Sequence, residues 1–362
     1  MGAFADGIAP GLEQATPTAA LSAVDEELEE VLRGLRTVIR IVGIGGGGCN
    51  TIDRICQAGI TGADLYAANT DAQHLLYRRS PKKILLGRNT TRGLGAGAMP
   101  HVGEAAARET EPELRSLLEG SDMVFITCGL GGGTGTGGAP VVAQVAKSLD
   151  ALTVAICTFP FKAEGSVRWE NAEYGLERLR KYVDTLIIVP NDKLLELVPR
   201  LPLSAAFKVA DEVLMRSIKG IAEIVTKPGL VNLDFNDIRT VMSEGGVAMM
   251  GLGESQAESR AEEAVDEAIN SPLIDVDVSG ASSALVNVIG SSDMTVLEAE
   301  RVAELVQESI SPNARIIWGA AIDNSLEHKL RVMVVLTGVK SRQIVGPQEA
   351  PSSWESGLDL VR

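Results

Sequence analysis

Apolar runs with a two-residue period and apolar stripes with a helical period take turns along most of this chain. The first β-run, Thr37-Val-Ile-Arg-Ile-Val42, leads into a glycine-rich turn and a helix, and further β-runs are expected at 64–68, 122–127, 153–157 and 185–189. Strands alternating with helical segments at this spacing predict an α/β, Rossmann-like parallel sheet, doubly wound. Residues 203–225 keep helical spacing with Gly220 as their one glycine and no proline, which predicts one long helix leaving the first domain. Beyond Pro228-Gly229 the pattern changes. Helices are expected at 259–270 and 295–310 and strands near 246–252, 284–289, 314–322 and 330–338. That is the make-up of a smaller α+β domain, whose last two strands would pair antiparallel.

The ends read differently. Residues 1–24 are rich in Ala, Gly and Pro without periodicity, a flexible leader. In 25–36, DEELEEVLRGLR, acids come first and arginines last, as a helix dipole prefers, with Leu28, Val31, Leu32 and Leu35 on one face. From Ser341 the chain turns polar, with Pro347 and Pro351, and finishes on Trp354, Leu358, Leu360 and Val361, a disordered tail with a short apolar end.

Composition narrows the function. The 362 residues, 45% hydrophobic and 22% charged, suit about two globular domains with real cores. Thirty-three Lys+Arg against 48 Asp+Glu give a net charge of -15, which argues against nucleic acid or an anionic membrane as a partner, since both need a cationic face. No apolar stretch reaches the ~20 residues of a spanning helix, and no signal segment is recognisable, so direct membrane insertion is not expected. Cys49, Cys56, Cys128 and Cys157 show no CxxC or Cys/His spacing and read as free thiols of a reducing cytoplasm.

Two glycine loops carry the chemistry. Gly43-Ile-Gly-Gly-Gly-Gly-Cys-Asn50 fits GxGxxG between a strand and a helix, where backbone N–H groups can hold phosphate. Asp71, about twenty residues on, could serve as the ribose carboxylate of a dinucleotide fold. Gly131-Gly-Gly-Thr-Gly-Thr-Gly137 lies at a second strand–helix junction, with two threonine hydroxyls as further donors. A dinucleotide needs one such loop; a triphosphate gripped from two sides uses both. No GxxxxGK[ST] occurs, so phosphate charge would be met by amides, helix ends and a metal ion, Mg²⁺ by preference, without assigned side-chain ligands.

GGGTGTG, with NTDAQ at 69–73, TRGLGAGAMP at 91–100, PFKAEGSVR at 160–168, PNDKLLELVP at 190–199, FKVADEVL at 207–214 and NLDFNDIRTVM at 232–242, resembles the tubulin/FtsZ superfamily, and within it the FtsZ GTPases, over roughly 37–342. KKILLG, CGLGGGTGTGG and the early helix look closer to archaeal members. The resemblance implies a GTP-binding domain at 37–202, a central helix at 203–226, a C-terminal GTPase-activating domain at 227–340 and a tail at 341–362. It implies that GTP or GDP meets Gly46, Gly47, Cys49 and Asn50 of the first loop, with Asn69 and Asp71 beside them. Gly131, Gly132, Gly133, Thr134, Gly135, Thr136 and Gly137 would hold the phosphates, with Ala96 and Gly97 near the γ-phosphate. Glu164 and Arg168 would take the sugar, with Asn191 nearby; Phe207 would pack on the base and Asp211 would read it. A single carboxylate accepts guanine N1–H and N2–H₂ together, a pair that adenine lacks. Cys49 stands where relatives carry other small residues, so a side-chain contact there is in doubt and alkylation sensitivity is expected.

Asp234 and Asp237, three apart at a helix start, could simply cap it. The resemblance gives them another role: with Asn232 in support, they enter the next subunit's nucleotide site and polarise the attacking water. Hydrolysis would then need head-to-tail contact, and a heterologous contact that does not close makes a filament. The implied protein is a self-activated GTPase of the division site that recruits a membrane-tethering adaptor through its tail. A paralogue serving cell shape, a poorly hydrolysing scaffold, and a nicotinamide oxidoreductase built on GxGxxG and Asp71 are the alternatives.

Overall fold

The computed structural model describes residues 37–339 apart from 198–201, 228, 232, 244 and 275–277. The expected leader, the helix at 25–36, the tail and Asn232 lie outside the described residues. Among the described residues ten strands form one sheet: β1 Ile39–Ile44, β2 Ala63–Asn69, β3 Lys82–Leu85, β4 Met123–Gly129, β5 Leu152–Phe159, β6 Thr185–Pro190, β7 Gly246–Ser255, β8 Ser283–Gly290, β9 Arg315–Ile322 and β10 Leu330–Thr337. Their order is β3-β2-β1-β4-β5-β6-β7-β10-β8-β9. The first six are parallel, as the alternating pattern predicts, and β6 joins β7 in parallel at Thr185 opposite Gly246.

Strand alternation feeds two cores. Ile39, Ile41, Phe125, Val154 and Ile156 face one side with Ile52 and with Leu214 and Ile218 of the long helix Leu203–Thr226. Val42, Ile44, Val124, Ile126 and Ala155 face the other with Ala139 and Val142 of the helix Thr134–Ser148. Burial on both faces is why these strands read as continuous apolar runs. A third core, with Val286, Val288, Val332 and Val334, packs under the helices Arg260–Ile269 and Val296–Ser309.

One pairing differs from expectation. β9 and β10 are not partners: β10 lies between β7 and β8, antiparallel to both, and β9 runs parallel to β8 at the edge. β10 is buried almost throughout and needs a neighbour on each side, whereas β9 is half-exposed along its first residues and suits an edge. The short strand β3 was not predicted either, because Lys82 and Lys83 leave its apolar pattern too brief.

Candidate functional site

In an open parallel sheet, ligands bind beyond the carboxyl ends of the strands where the strand order reverses. Here that point lies between β1 and β4. The helix Gly45–Ala58 starts directly after β1, and the helix Thr134–Ser148 starts four residues after β4. Their N-caps, Ile44 and Gly133, make no side-chain cap bond, and neither first turn holds an acid. The N–H groups of both first turns are thus left without side-chain caps, and both dipoles favour an anion. The two starts nearly touch: a Cβ on Gly45 would stand 2.9 Å from Gly135 N. Glycine lets the two donor arrays converge.

Above them lies a cleft of about 530 Å³, within the range of small-molecule sites. Gly46, Gly47, Asn50, Asn69, Asp71, Ala96, Gly97, Gly132, Gly133, Thr134, Gly135, Glu164, Arg168, Asn191, Phe207 and Asp211 all line it. Residues from seven separate sequence stretches are thereby brought to one cavity. A Cβ on Gly132 would meet nothing within 4 Å, and one on Gly46 only His74, so chain atoms leave this floor open.

Four of the expected contacts are not on the wall. Cys49 is buried, its thiol directed at Ala68 O (3.5 Å) and Gly43 O (3.8 Å), and burial pushes its pKa up to about 12. A buried, protonated thiol is inert, which corrects the expected alkylation sensitivity. Thr136 is fully buried and its Oγ1 accepts the Gly131 N–H at 2.9 Å, so this hydroxyl closes the turn instead of facing a phosphate. Gly131 takes the φ of 98° that the turn requires. Gly137 packs against the helix Pro100–Glu109. Thr134 does line the cleft, but its Oγ1 is bonded to Thr70 Oγ1 at 2.6 Å. The helical period explains the division: Gly46, Gly47 and Asn50 share one face and Cys49 turns toward the sheet.

At the other end of the cleft Phe207 is 40% exposed, its ring edge-on to Phe161 at 5.1 Å, which leaves an aromatic surface for a flat ligand. Asp211 Oδ2 meets Arg54 Nε at 3.4 Å, and burial raises its pKa against the pull of that arginine. Asn191 is buried, yet among the described residues its Oδ1 has no hydrogen-bond partner, which leaves an acceptor on the wall. Glu164 Oε1 accepts the Phe161 N–H at 2.9 Å and its Oε2 pairs with Arg168. Donors at one end and an aromatic with acceptors at the other fit a phosphorylated purine that carries ring N–H groups. Among the described residues no cluster of three or more His, Cys, Asp or Glu could hold a metal. A cation here would lean on phosphate oxygens and water.

Asp234 and Asp237 are exposed and lie elsewhere. Asp234 caps the helix Phe235–Met242, accepting the Asn236 N–H at 3.4 Å. Arg239 of that helix donates to Asp150 O at 2.8 Å, just ahead of β5, whose far end brings Thr158 to the cleft. Thr158 is eight residues on from Asp150, nearly all of it along β5, about 25 Å at ~3.3 Å per residue. The sequence reading missed Leu94, Gly95, Leu130 and Ala210 of the wall, neighbours of residues it did name, and also His74, Gly129, Thr158 and Pro160. Gly129, Thr158 and Pro160 follow from their place at the carboxyl ends of β4 and β5; His74 is three residues past Asp71, which caps its helix.

Residues 38–199 match the model of the tubulin/FtsZ family, GTPase domain, and residues 246–340 that of the FtsZ family, C-terminal domain. The chain is 59% identical over 339 residues to cell division protein FtsZ 1 of Archaeoglobus fulgidus, covering 94% of this chain and 92% of that one. It is 60% identical over 322 residues to cell division protein FtsZ of Haloferax mediterranei, covering 89% and 85%. The empty FtsZ dimer of M. jannaschii superposes with a TM-score of 0.84 at 55% identity, covering 88% of this chain and 93% of that chain. CetZ2 from Haloferax volcanii, solved as a GTPγS-bound protofilament, has a TM-score of 0.71 at 23% identity, covering 84% and 94%, and shares the fold alone.

Proposed function

The chain belongs to the FtsZ branch of the tubulin/FtsZ GTPase family, and from that premise we propose that it is a cell-division GTPase that polymerises head to tail and completes its active site between subunits. The observation that supports the reading is that the cleft lies at the carboxyl ends of the parallel strands, whereas the helix that Asp234 caps is bonded through Arg239 to Asp150 O, ahead of β5. One subunit cannot bring them together across about 25 Å of strand; a second copy stacked end to end can. The helix N-termini at Gly45 and Thr134 hold the phosphates, Phe207 stacks on guanine, and Asp211 with Asn191 reads its edge. Mg²⁺, when bound to the phosphates, neutralises charge that builds on them. Asp234 and Asp237 of the next subunit orient the water, whose oxygen attacks the γ-phosphorus as the bond to the β-phosphate breaks. Asn232 supports them.

In this reading residues 37–202 bind nucleotide, the helix Leu203–Thr226 links the halves, and 227–340 carry the acids that activate hydrolysis. Residues 341–362 recruit a membrane-tethering adaptor at the cytoplasmic division site. No described helix is long and apolar enough to cross a membrane. The shape-paralogue and scaffold alternatives share the cleft; a nicotinamide enzyme has no use for the second phosphate loop.

The test is GTP hydrolysis against protein concentration with Mg²⁺, beside light scattering, for wild type and Asp234→Ala. Turnover per molecule should appear only above a threshold, and the variant should assemble without hydrolysing. A rate per molecule independent of concentration would overturn the shared site.

A further inference from the structure

His74 stands on the cleft wall among residues that fix its tautomer. The Asp71 N–H donates to Asn69 Oδ1 at 3.3 Å, which turns Asn69 Nδ2 toward His74 Nδ1, 3.1 Å away. With the amide reversed, two donors would face each other at Asp71. His74 Nδ1 is therefore the acceptor, and a neutral ring carries its proton on Nε2. That same Nε2 is the atom a Cβ on Gly46 would meet, at 3.9 Å, and otherwise the space over Gly46 is open. The backbone is held as firmly as the ring. Asp71 Oδ1 accepts the His74 N–H at 2.9 Å, and Arg78 Nε donates to His74 O at 3.1 Å.

The charged groups around the ring are Arg78, Asp71 and Asp53. Burial and Arg78 push its pKa down, and the two carboxylates pull it up less strongly. Arg78 is held in place by Asn50 Oδ1 at 2.8 Å and Asp53 at 3.2 Å. The imidazole is thus neutral near pH 7 and offers one N–H into a cradle of backbone donors.

We propose that His74 binds the nucleotide's phosphate chain, its Nε2–H donating to a phosphate oxygen over the first turn of the helix Gly45–Ala58. This rests on the guanine-nucleotide reading above and adds to it a side-chain donor in a cradle otherwise made of backbone. An anion at Nε2 favours the imidazolium, so phosphate binding is linked to proton uptake, and affinity for GTP rises as pH falls toward the ordinary histidine range.

Affinities of the full chain for GTP, GDP and guanosine, measured below the assembly concentration by competition with a fluorescent guanine nucleotide, test it with wild type, His74→Ala and His74→Gln. His74→Ala should weaken GTP and GDP about tenfold, the scale of a hydrogen bond to a charged group, and leave guanosine unchanged. His74→Gln, which keeps an amide donor at similar reach, should recover most of the loss but not the pH dependence. NMR of the wild-type imidazole should show the Nε2–H tautomer and a pKa that rises when GDP is added, which keeps the test open if the Ala variant fails to fold. Unchanged GTP and GDP affinity in a folded His74→Ala, an equal loss for all three ligands, or an imidazole indifferent to GDP would each overturn the proposal. Wild type that binds no guanine nucleotide would overturn the underlying reading instead.

Discussion

A methyl group on Gly137 would stand 1.9 Å from Pro100 O and 2.6 Å from Glu104 N, where the helix Thr134–Ser148 crosses the helix Pro100–Glu109. Both are backbone atoms, so no rotamer change relieves the clash and the helices must part. Overpacking commonly costs 1–3 kcal/mol, and a backbone collision belongs at the top of that range, about 3 kcal/mol or more. For a chain of 362 residues that lowers Tm by about 4 °C or more. Five residues earlier, in the same glycine run, a methyl on Gly132 would meet nothing within 4 Å, and its φ lies outside the left-handed region. Gly132→Ala should therefore leave the fold unharmed or stabilise it by about 0.4–1 kcal/mol through a less flexible unfolded chain. The open space is nonetheless the floor of the cleft. A methyl there crowds a phosphate by about 1–3 kcal/mol, a loss of roughly tenfold to a hundredfold in affinity. Thermal unfolding without nucleotide and binding of a fluorescent GTP analogue separate the two effects. Gly132→Ala unfolding as early as Gly137→Ala, or binding GTP like wild type, would refute this account of the glycine run.

Asp234→Asn and Asp237→Asn should assemble and bind GTP while turnover falls ~10²–10⁴-fold; weakened binding in isolated subunits would place the acids in their own chain's site. Maleimide on native protein near pH 7 should label Cys56 first, since the other three thiols are buried, and Cys49 only on unfolding, as mapped by mass spectrometry. Early labelling of Cys49 would contradict its burial. Arg260 binds Glu298 at 2.6 Å and Asp293 at 3.1 Å. Arg260 is the main cause holding Glu298 at about 2, and Ser291, His328 and Arg260 depress Asp293. Depressed carboxylates contribute stability that is fully present above their unfolded values near 4 and is lost as pH falls toward the folded ones. Urea unfolding between pH 5 and 2 should show that loss, and Arg260→Leu should flatten it.

The central strands were legible because burial on both faces forces unbroken apolar runs, and the glycine loops because they sit where those runs meet helices. Edges were not. Lys82 and Lys83 mask β3, and adjacency in sequence suggested a β9–β10 hairpin that the topology does not make. The difference was present in the residues: LRVMVVLT is apolar enough to sit between two neighbours, whereas RIIWGAAI opens on Arg315, has small residues at 319–321 and remains half-exposed. Motif order likewise gathers residues without saying where each side chain points. Cys49 and Asn50 are neighbours in one loop, but a helix turns ~100° per residue, so the thiol enters the core while the amide faces the cleft. His74 was unreadable for a related reason: its role depends on the Asn69 amide and on space above Gly46, neither of which spacing reveals.

The placement of the acids also constrains how the two ends of a subunit communicate. The helix Phe235–Met242 is tied by Arg239 to Asp150 O, ahead of β5, with the guanidinium 5.7 Å from the Phe235 ring. Its buried Ile238, Val241 and Met242 join the core shared by β5 and the central helix. Their helix is therefore fixed to the base of a strand whose top lines the cleft through Thr158. On the proposed reading each subunit offers a cleft at one end of β5 and acids at the other, an arrangement that is heterologous by construction. Two copies joined this way leave one cleft and one pair of acids unsatisfied, however well their contact fits. Growth continues by the same contact unless a ring closes, so the geometry that withholds the acids from their own cleft is also what makes a filament the form in which every internal site is complete.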